Sequence, residues 1–248
     1  MERLAYRSSF FFLTCGVIFQ IILSLIFIKV IFGWVSHIRG WSYHEMLIIT
    51  GTSILLEGLI WMSCAYLHIL KVLLKNGTLD GILVKPMGSQ FLVSCYRGDL
   101  EDIVRVVSGI GIIVYALFNM DIPAGQLIAN GGTYLVLLAN AYVILYSISV
   151  ILNSIAFWTI ESPTTFAMIE VISRVSQYPS DIYSGLAAKI VFSTVIPILF
   201  ISSVPAKVLS RGFQWPLVLG SFLAAVVFTY VSRYVWKRGL SVYSSASS

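Results

Sequence analysis

Charge is what this chain has least of. Aspartate, glutamate, lysine and arginine make up 11% of its 248 residues, where a soluble domain carries roughly 25%. So few charges cannot clothe a surface in water, which excludes an ordinary soluble domain. Cysteine is scarce as well. Cys15, Cys64 and Cys95 are an odd number without paired spacing, so neither a disulfide framework nor a zinc site is indicated, and buried free thiols are expected. His37 and His44 lack nearby cysteines or carboxylate clusters and make a poor metal set; surface or interfacial roles suit them. The motifs GxxxxGK(S/T), HExxH and GxSxG are missing altogether. Without the first, the chain cannot cradle nucleotide phosphates by itself; without the others, no hydrolytic site is marked. No inverted repeat relates the two halves, and no pair of broken helices marks a secondary transporter.

What the chain does have is apolar length: 58% of it is hydrophobic. About 20 apolar residues cross a bilayer core, and six stretches reach or approach that length: 10–32, 46–70, 103–120, 133–158, 190–209 and 215–236. The expected fold is therefore an all-α integral membrane protein with six transmembrane helices. The first run exceeds the roughly 7–15 residues of a signal-peptide core and no cleavage pattern follows it, so it reads as a span. With the N-terminus inside, Lys and Arg divide 12 to 4 in favour of the cytoplasmic side, and both termini are cytoplasmic. The same bias accounts for the net charge of +5 without a nucleic acid partner; lipid is the surrounding partner. Trp34, Trp41, Trp158, Trp215 and Trp236 fall at expected helix ends, as interfacial aromatics do. Residues 1–9 form a short cytoplasmic N-terminus, 10–240 a single membrane domain, and 241–248 a disordered polar tail.

Two expected cytoplasmic intervals, 71–102 and 159–189, interrupt the spans. In the first, GTLDGILVKP reads as one short helix. Gly77 and Thr78 precede it, with Thr78 as N-cap. Asp80 lies in the first turn, Lys85 near the end, and Pro86 stops the pattern. Leu79, Ile82 and Leu83 share one apolar face. That face fits a groove on a partner or the surface of lipid headgroups, and the residues alone leave both open. In the second, Ser162 and Pro163 suit the start of a helix. Phe166, Ile169 and Ile172 form its apolar face; Glu170, Arg174 and Gln177 share the other, with Glu170 and Arg174 spaced to pair. Tyr178 and Pro179 end it.

Inside the spans, Glu57 stands near the expected midplane of the second. An ionised carboxylate there must face the bundle, be protonated or find a partner. Thr50, Thr52, Ser53 and Ser63 offer local hydrogen bonds, while Lys29 lies near the outer edge. In the fourth span Tyr142, Tyr146, Ser149 and Asn153 fall on one stripe, and Asn140 is a further polar residue of the same span. The stripe serves interhelical packing or lines a path. Pro197 and Pro205 are expected to kink the fifth span.

In order and spacing these pieces resemble the membrane component of ABC-2 type exporters, in the branch of six-helix bacterial permeases separate from their ATPase. The resemblance rests on Tyr6-Arg7, on Gly77, Leu79, Asp80, Leu83 and Pro86, and on Phe157-Trp158. It rests further on YPSDIY from Tyr178 to Tyr183 and on VIPILFISSVPAKVL from Val195. The resemblance implies a permease subunit that pairs with a second permease and two ABC ATPase subunits. The helix around Leu79 would be the coupling helix and Glu170, Arg174, Tyr178 and Pro179 a second cytoplasmic contact. No cofactor would bind this chain; ATP and magnesium would sit on the ATPase. One departure is the short N-terminus, where family members usually carry a longer amphipathic helix. The residues by themselves leave open a stand-alone channel or secondary transporter, or a non-transporting anchor.

Overall fold

The computed structural model describes residues 7–96, 98–159, 164–182 and 197–243. The expected helix start at Ser162 and Pro163, the first part of the fifth span, Tyr6, Tyr183 and the tail from 244 lie outside them. The described residues are helical, and pair as strands only at one isolated bridge between Ile38 and Trp41. Helix α1 covers Arg7–Trp34 and α2 covers Tyr43–Cys64. A 3₁₀ turn, Ala65–Ile69, carries α2 into α3, Leu70–Lys75. Short helices α4 (Asp80–Leu83) and α5 (Ser89–Cys95) follow. Then come α6 (Ile103–Phe118), α7 (Ala124–Ser154) and α8 (Thr164–Val175). A π-helical turn at Leu199–Ser203 leads into α9, Val204–Arg211, and α10 covers Trp215–Val242.

Four stretches among the described residues are long and apolar enough to cross a membrane: Phe11–Trp34, Tyr43–Lys75, Ala124–Phe157 and Trp215–Val242. Helix α6 is apolar but only 16 residues, about 24 Å at 1.5 Å per residue. The chain is a multi-pass helical membrane protein. The fourth span begins nine residues before its expected start at 133. Pro123 sets the first turn of α7, and Asn130 donates from Nδ2 to the Leu209 carbonyl at 3.3 Å, so Gly131 and Gly132 do not break the helix.

Helix α2 is the hub. It is buried along nearly its whole length, and its few polar side chains turn toward neighbouring elements of the bundle rather than outward. Its closest neighbour is α6, and glycines set that distance. A Cβ on Gly51 would meet Ile113 Cγ1 at 2.9 Å; one on Gly109 would meet the Gly51 carbonyl at 2.7 Å; one on Gly58 would meet Arg105 Cβ at 2.8 Å. Small residues let two membrane helices approach backbone to backbone. Around this pair Trp41, Met46, Leu47, Ile113, Tyr134 and Leu209 form one cluster of buried side chains.

The second interval departs most from expectation. From a start beside the end of the 71–102 interval, residues 170–181 run alongside α2 in the opposite direction. Glu170 shares a cavity with Glu57. The Ser176 hydroxyl is 2.7 Å from that of Ser53. The Gln177 carbonyl accepts from Thr50 at 3.3 Å and its side chain from Ser24 at 3.1 Å. The Tyr178 ring packs edge-on to Phe27. Asp181 accepts from the Trp41 indole at 2.9 Å. The segment is therefore an inner element of the bundle. Its Glu170 end faces Asp99, Glu101 and Asp102 of the 71–102 interval across that cavity, while Tyr178 and Pro179 lie toward its Trp41 end. Thr50 and Ser53 of α2 explain this, because each finds a polar partner on this segment.

Pro205 follows directly on the π-helical turn and sits at the start of α9. Lacking an N–H, it cannot bond the preceding turn, and the widened hydrogen-bond ladder accompanies it. Pro197 is the first described residue of its segment, so the kink expected there is not delimited. Among the tryptophans, Trp34, Trp158 and Trp215 are exposed at helix ends, whereas Trp41 and Trp236 are buried. Cys64 is buried, but Cys15 and Cys95 are exposed, contrary to the expectation of buried thiols.

Candidate functional site

The expected coupling element is built on a sharp reversal after α3. Gly77 adopts φ 67°, a left-handed conformation that favours glycine. Its N–H bonds the Leu74 carbonyl, while the Leu73 carbonyl accepts both the Leu79 N–H and the Thr78 hydroxyl, each at 3.4 Å. Thr78 thus closes the end of α3 rather than capping α4, which begins at Asp80 without a side-chain cap. The turn folds Leu79, Ile82 and Leu83 back onto this chain. Leu79 is fully buried, and the three pack with Leu70, Leu73, Val93, Val150 and Trp236. Leu79 and Ile82 are buried in the root of the element, and Leu83 is half-buried beside them. The outward side is a different set: Val84 (85% exposed), Lys85, Pro86 and Met87 (56% exposed). Lys85 lies over the Tyr96 ring at 4.7 Å.

The polar stripe of α7 also has a definite use. Tyr142 OH meets Ser63 Oγ at 2.6 Å. Tyr146 OH meets Ser94 Oγ at 3.0 Å and accepts from Gln90 at 3.4 Å. Asn153 donates to the Ser149 carbonyl and approaches His68 Nδ1 at 3.4 Å. Ser149 Oγ bonds back to the Leu145 carbonyl. Tyr142, Tyr146 and Asn153 therefore tie α7 to α2, α5 and the 3₁₀ turn between α2 and α3. Asn140 lies apart, in a groove between α7 and α10, and its buried Nδ2 has no hydrogen-bond partner among the described residues.

Glu57 is buried, as expected, but it stands level with the first turn of α6 rather than at the middle of the bundle. Its partner is Arg105, with Nε 3.8 Å from Oε1, and Arg105 also pairs with Asp102. Sequence reasoning weighed only Lys29 as a cation for Glu57. Gly58 was the available signal: an adjacent residue without a side chain is what brings the Arg105 backbone so close. Beside this pair opens a cavity of about 260 Å³ between α1, α2, the start of α6 and α8. Five carboxylates line it (Glu57, Asp99, Glu101, Asp102 and Glu170), with Arg105 the one cation in the lining among the described residues and Trp61 an aromatic wall. Trp61 stacks on His68 at 4.3 Å between ring centroids. Burial pushes the Asp102 carboxyl above its ordinary range and Arg105 opposes the shift. Glu170 and Arg174 form the expected ion pair, at 2.6 Å, on a more exposed side.

At the opposite end of the bundle lies a second charged constellation that the residue pattern did not reveal. Arg211 grips Glu45 through two bonds, Nε to Oε1 at 2.6 Å and Nη2 to Oε2 at 3.0 Å. It also donates to the Gly40 carbonyl at 2.7 Å and covers the Trp41 ring at 4.4 Å. Glu45 in turn caps α2 through Ser42. The α1–α2 loop, α2 and α9 are thereby locked together, with Asp181 joined through Trp41.

The fold and its charged clusters define a multi-pass helical membrane protein with a charged cavity at one end and a closed ion-pair cluster at the other. The ABC-2 family transporter proteins match the chain over residues 18–247, and the chain belongs to that family. No curated protein and no solved structure matches it.

Proposed function

We propose that this chain is the permease subunit of an ATP-driven exporter, working with a second permease and two separate ABC ATPase subunits. ATP and magnesium belong to the ATPase in this reading. The chain supplies the path, and its cargo is a cationic or amphipathic small molecule or a lipid taken from the cytoplasmic side. The observation that carries the cargo class is the cavity beside Glu57. Among the described residues Glu57 and Asp102 share the Arg105 guanidinium, an arrangement that favours a cation, and the Trp61 face offers it a cation–π contact. Family membership supports the subunit role. The outward side of the 71–102 interval, with Val84, Lys85, Pro86 and Met87, supports the docking of an ATPase there, above the root formed by Gly77, Thr78, Leu79, Asp80, Ile82 and Leu83.

The test is export by the assembled transporter of a lipophilic monocation, tetraphenylphosphonium, against a neutral amphiphile of similar size. Glu57→Gln should lower export of the cation several-fold and leave the neutral compound and protein abundance unchanged. Equal loss of both cargoes, or no loss of either, would remove Glu57 and its cavity from the path.

A further inference from the structure

We propose that the groove between α7 and α10 is a binding site for an anionic phospholipid of the leaflet on the Lys75 side, with one acyl chain in the groove and the phosphate on Arg233 and Lys237. The groove holds about 350 Å³ and opens outward between the two helices. Its walls change character along its length. Phe222 and Val226 of α10 and Val143 of α7 supply its apolar wall, Asn140 and Thr229 are polar positions within it, and Tyr230 and Arg233 close the near part. Positions 222, 226, 230, 233 and 237 recur at helical spacing, so Lys237 continues the same face one turn beyond Arg233. Arg233 and Lys237 are both exposed, and neither pairs with a carboxylate among the described residues.

Length decides between a lipid and a partner helix. From Phe222 to Arg233 α10 rises about 16 Å, close to half of a hydrocarbon core of about 30 Å. A transmembrane helix would need a groove of twice that reach, whereas one acyl chain fills a single leaflet. The level of the headgroup is marked independently. Tyr230 and Tyr234 are exposed aromatics of an interfacial belt, and Arg238 donates to Tyr234 OH at 3.2 Å just beyond them. Trp236 bonds Ser89 of α5 at 3.1 Å, which places this end of α10 beside the 71–102 interval. That is the side to which the Lys and Arg excess assigns the cytoplasmic leaflet, and basic pockets between helices on that side recognise anionic headgroups.

The experiment compares phosphatidylglycerol with phosphatidylcholine of identical acyl chains, added to the purified full-length protein. Bound lipid is counted by native mass spectrometry and thermal stability is followed in parallel. The wild-type protein should retain phosphatidylglycerol and melt higher with it than with phosphatidylcholine. Arg233→Gln with Lys237→Gln should weaken phosphatidylglycerol binding by roughly tenfold or more, and Arg233→Lys should keep most of it, separating lost charge from misfolding. Lys71→Gln with Lys75→Gln, at the same end but off the groove, should change nothing. Val226→Trp should exclude the chain and reduce retention even with both cations in place. Equal retention of the two lipids, a preference that survives the Arg233 and Lys237 changes, or one lost equally with Lys71 and Lys75 would each overturn the site.

Discussion

Glu57 and Arg105 illustrate what a single buried charge demands of its surroundings. A carboxylate surrounded by the apolar residues of α2 is stable only if a cation reaches it, and Arg105 does so at 3.8 Å because Gly58 leaves room. Removing one partner of a buried pair leaves the other uncompensated, which costs more than removing both. Arg105→Gln should therefore lower the melting temperature of the purified protein more than Glu57→Gln does. Adding Glu57→Gln to Arg105→Gln should recover part of the loss. The coupling in such a cycle is expected to be about 1–3 kcal/mol; an additive double variant would show that the two charges do not depend on one another. At this scale the sequence was legible on one side only. Glu57 was visible as a carboxylate within an apolar run, and Glu170 with Arg174 as an i,i+4 pair. Arg105 was not assigned to Glu57, because Gly58 signals only a close approach and the fold of the intervening 71–102 interval decides which residue makes it.

Among the elements, the α2–α6 pair and the α4 turn show how small residues and apolar faces were read, and where that reading failed. Periodicity placed Leu79, Ile82 and Leu83 on one face correctly but did not say what that face meets, and it meets this chain's own core. Aspartate at Leu79 and Leu83 should consequently reduce abundance and thermal stability, since each buried leucine contributes roughly 1.5–3 kcal/mol. Aspartate at Val84 and Met87 should leave both unchanged and release the ATPase on co-purification. Were the Val84 and Met87 variant to retain its ATPase, the outward side of this turn would not be the docking surface. The α2–α6 contact gives a sharper comparison within one helix. A Cβ at Gly109 would meet Leu55 N at 2.7 Å, whereas at Gly111 nothing lies within 4 Å. Gly109→Ala should destabilise the protein by about 1–3 kcal/mol, as overpacking does. Gly111→Ala should be neutral or slightly stabilising because alanine is the better helix former. Equal melting temperatures for the two would mean that α6 does not approach α2 this closely.

Across the whole molecule, the two ends are chemically different and the 164–182 segment decides how they are connected. Helical class and most span positions follow from apolar length alone, because about 20 residues are needed to cross a core and few other patterns supply them. The 164–182 segment carries no such signal. Glu170, Arg174 and its serines make it look like a surface element, and only the matching hydroxyls of α2 make the interior acceptable to it. Its Trp41 end is joined to the Arg211 and Glu45 cluster through Asp181, and Gly212, next to Arg211, lies near Gln126 at the start of α7. Asp181 and Gly125 therefore belong to one face and Asn76 to the other. The Lys and Arg asymmetry keeps its sign without Arg174 and Lys189, so the Asn76 face remains the expected cytoplasmic one. Single cysteines in a background lacking Cys15, Cys64 and Cys95 should then respond differently to an impermeant maleimide added to intact cells. Cysteine at Gly125 or Asp181 should be labelled, and cysteine at Asn76 only after the membrane is opened. If Asp181 were labelled together with Asn76 and not with Gly125, the 164–182 segment would be a cytoplasmic surface element, and its hydrogen bonds to Ser53, Thr50 and Trp41 could not exist in the membrane-embedded protein.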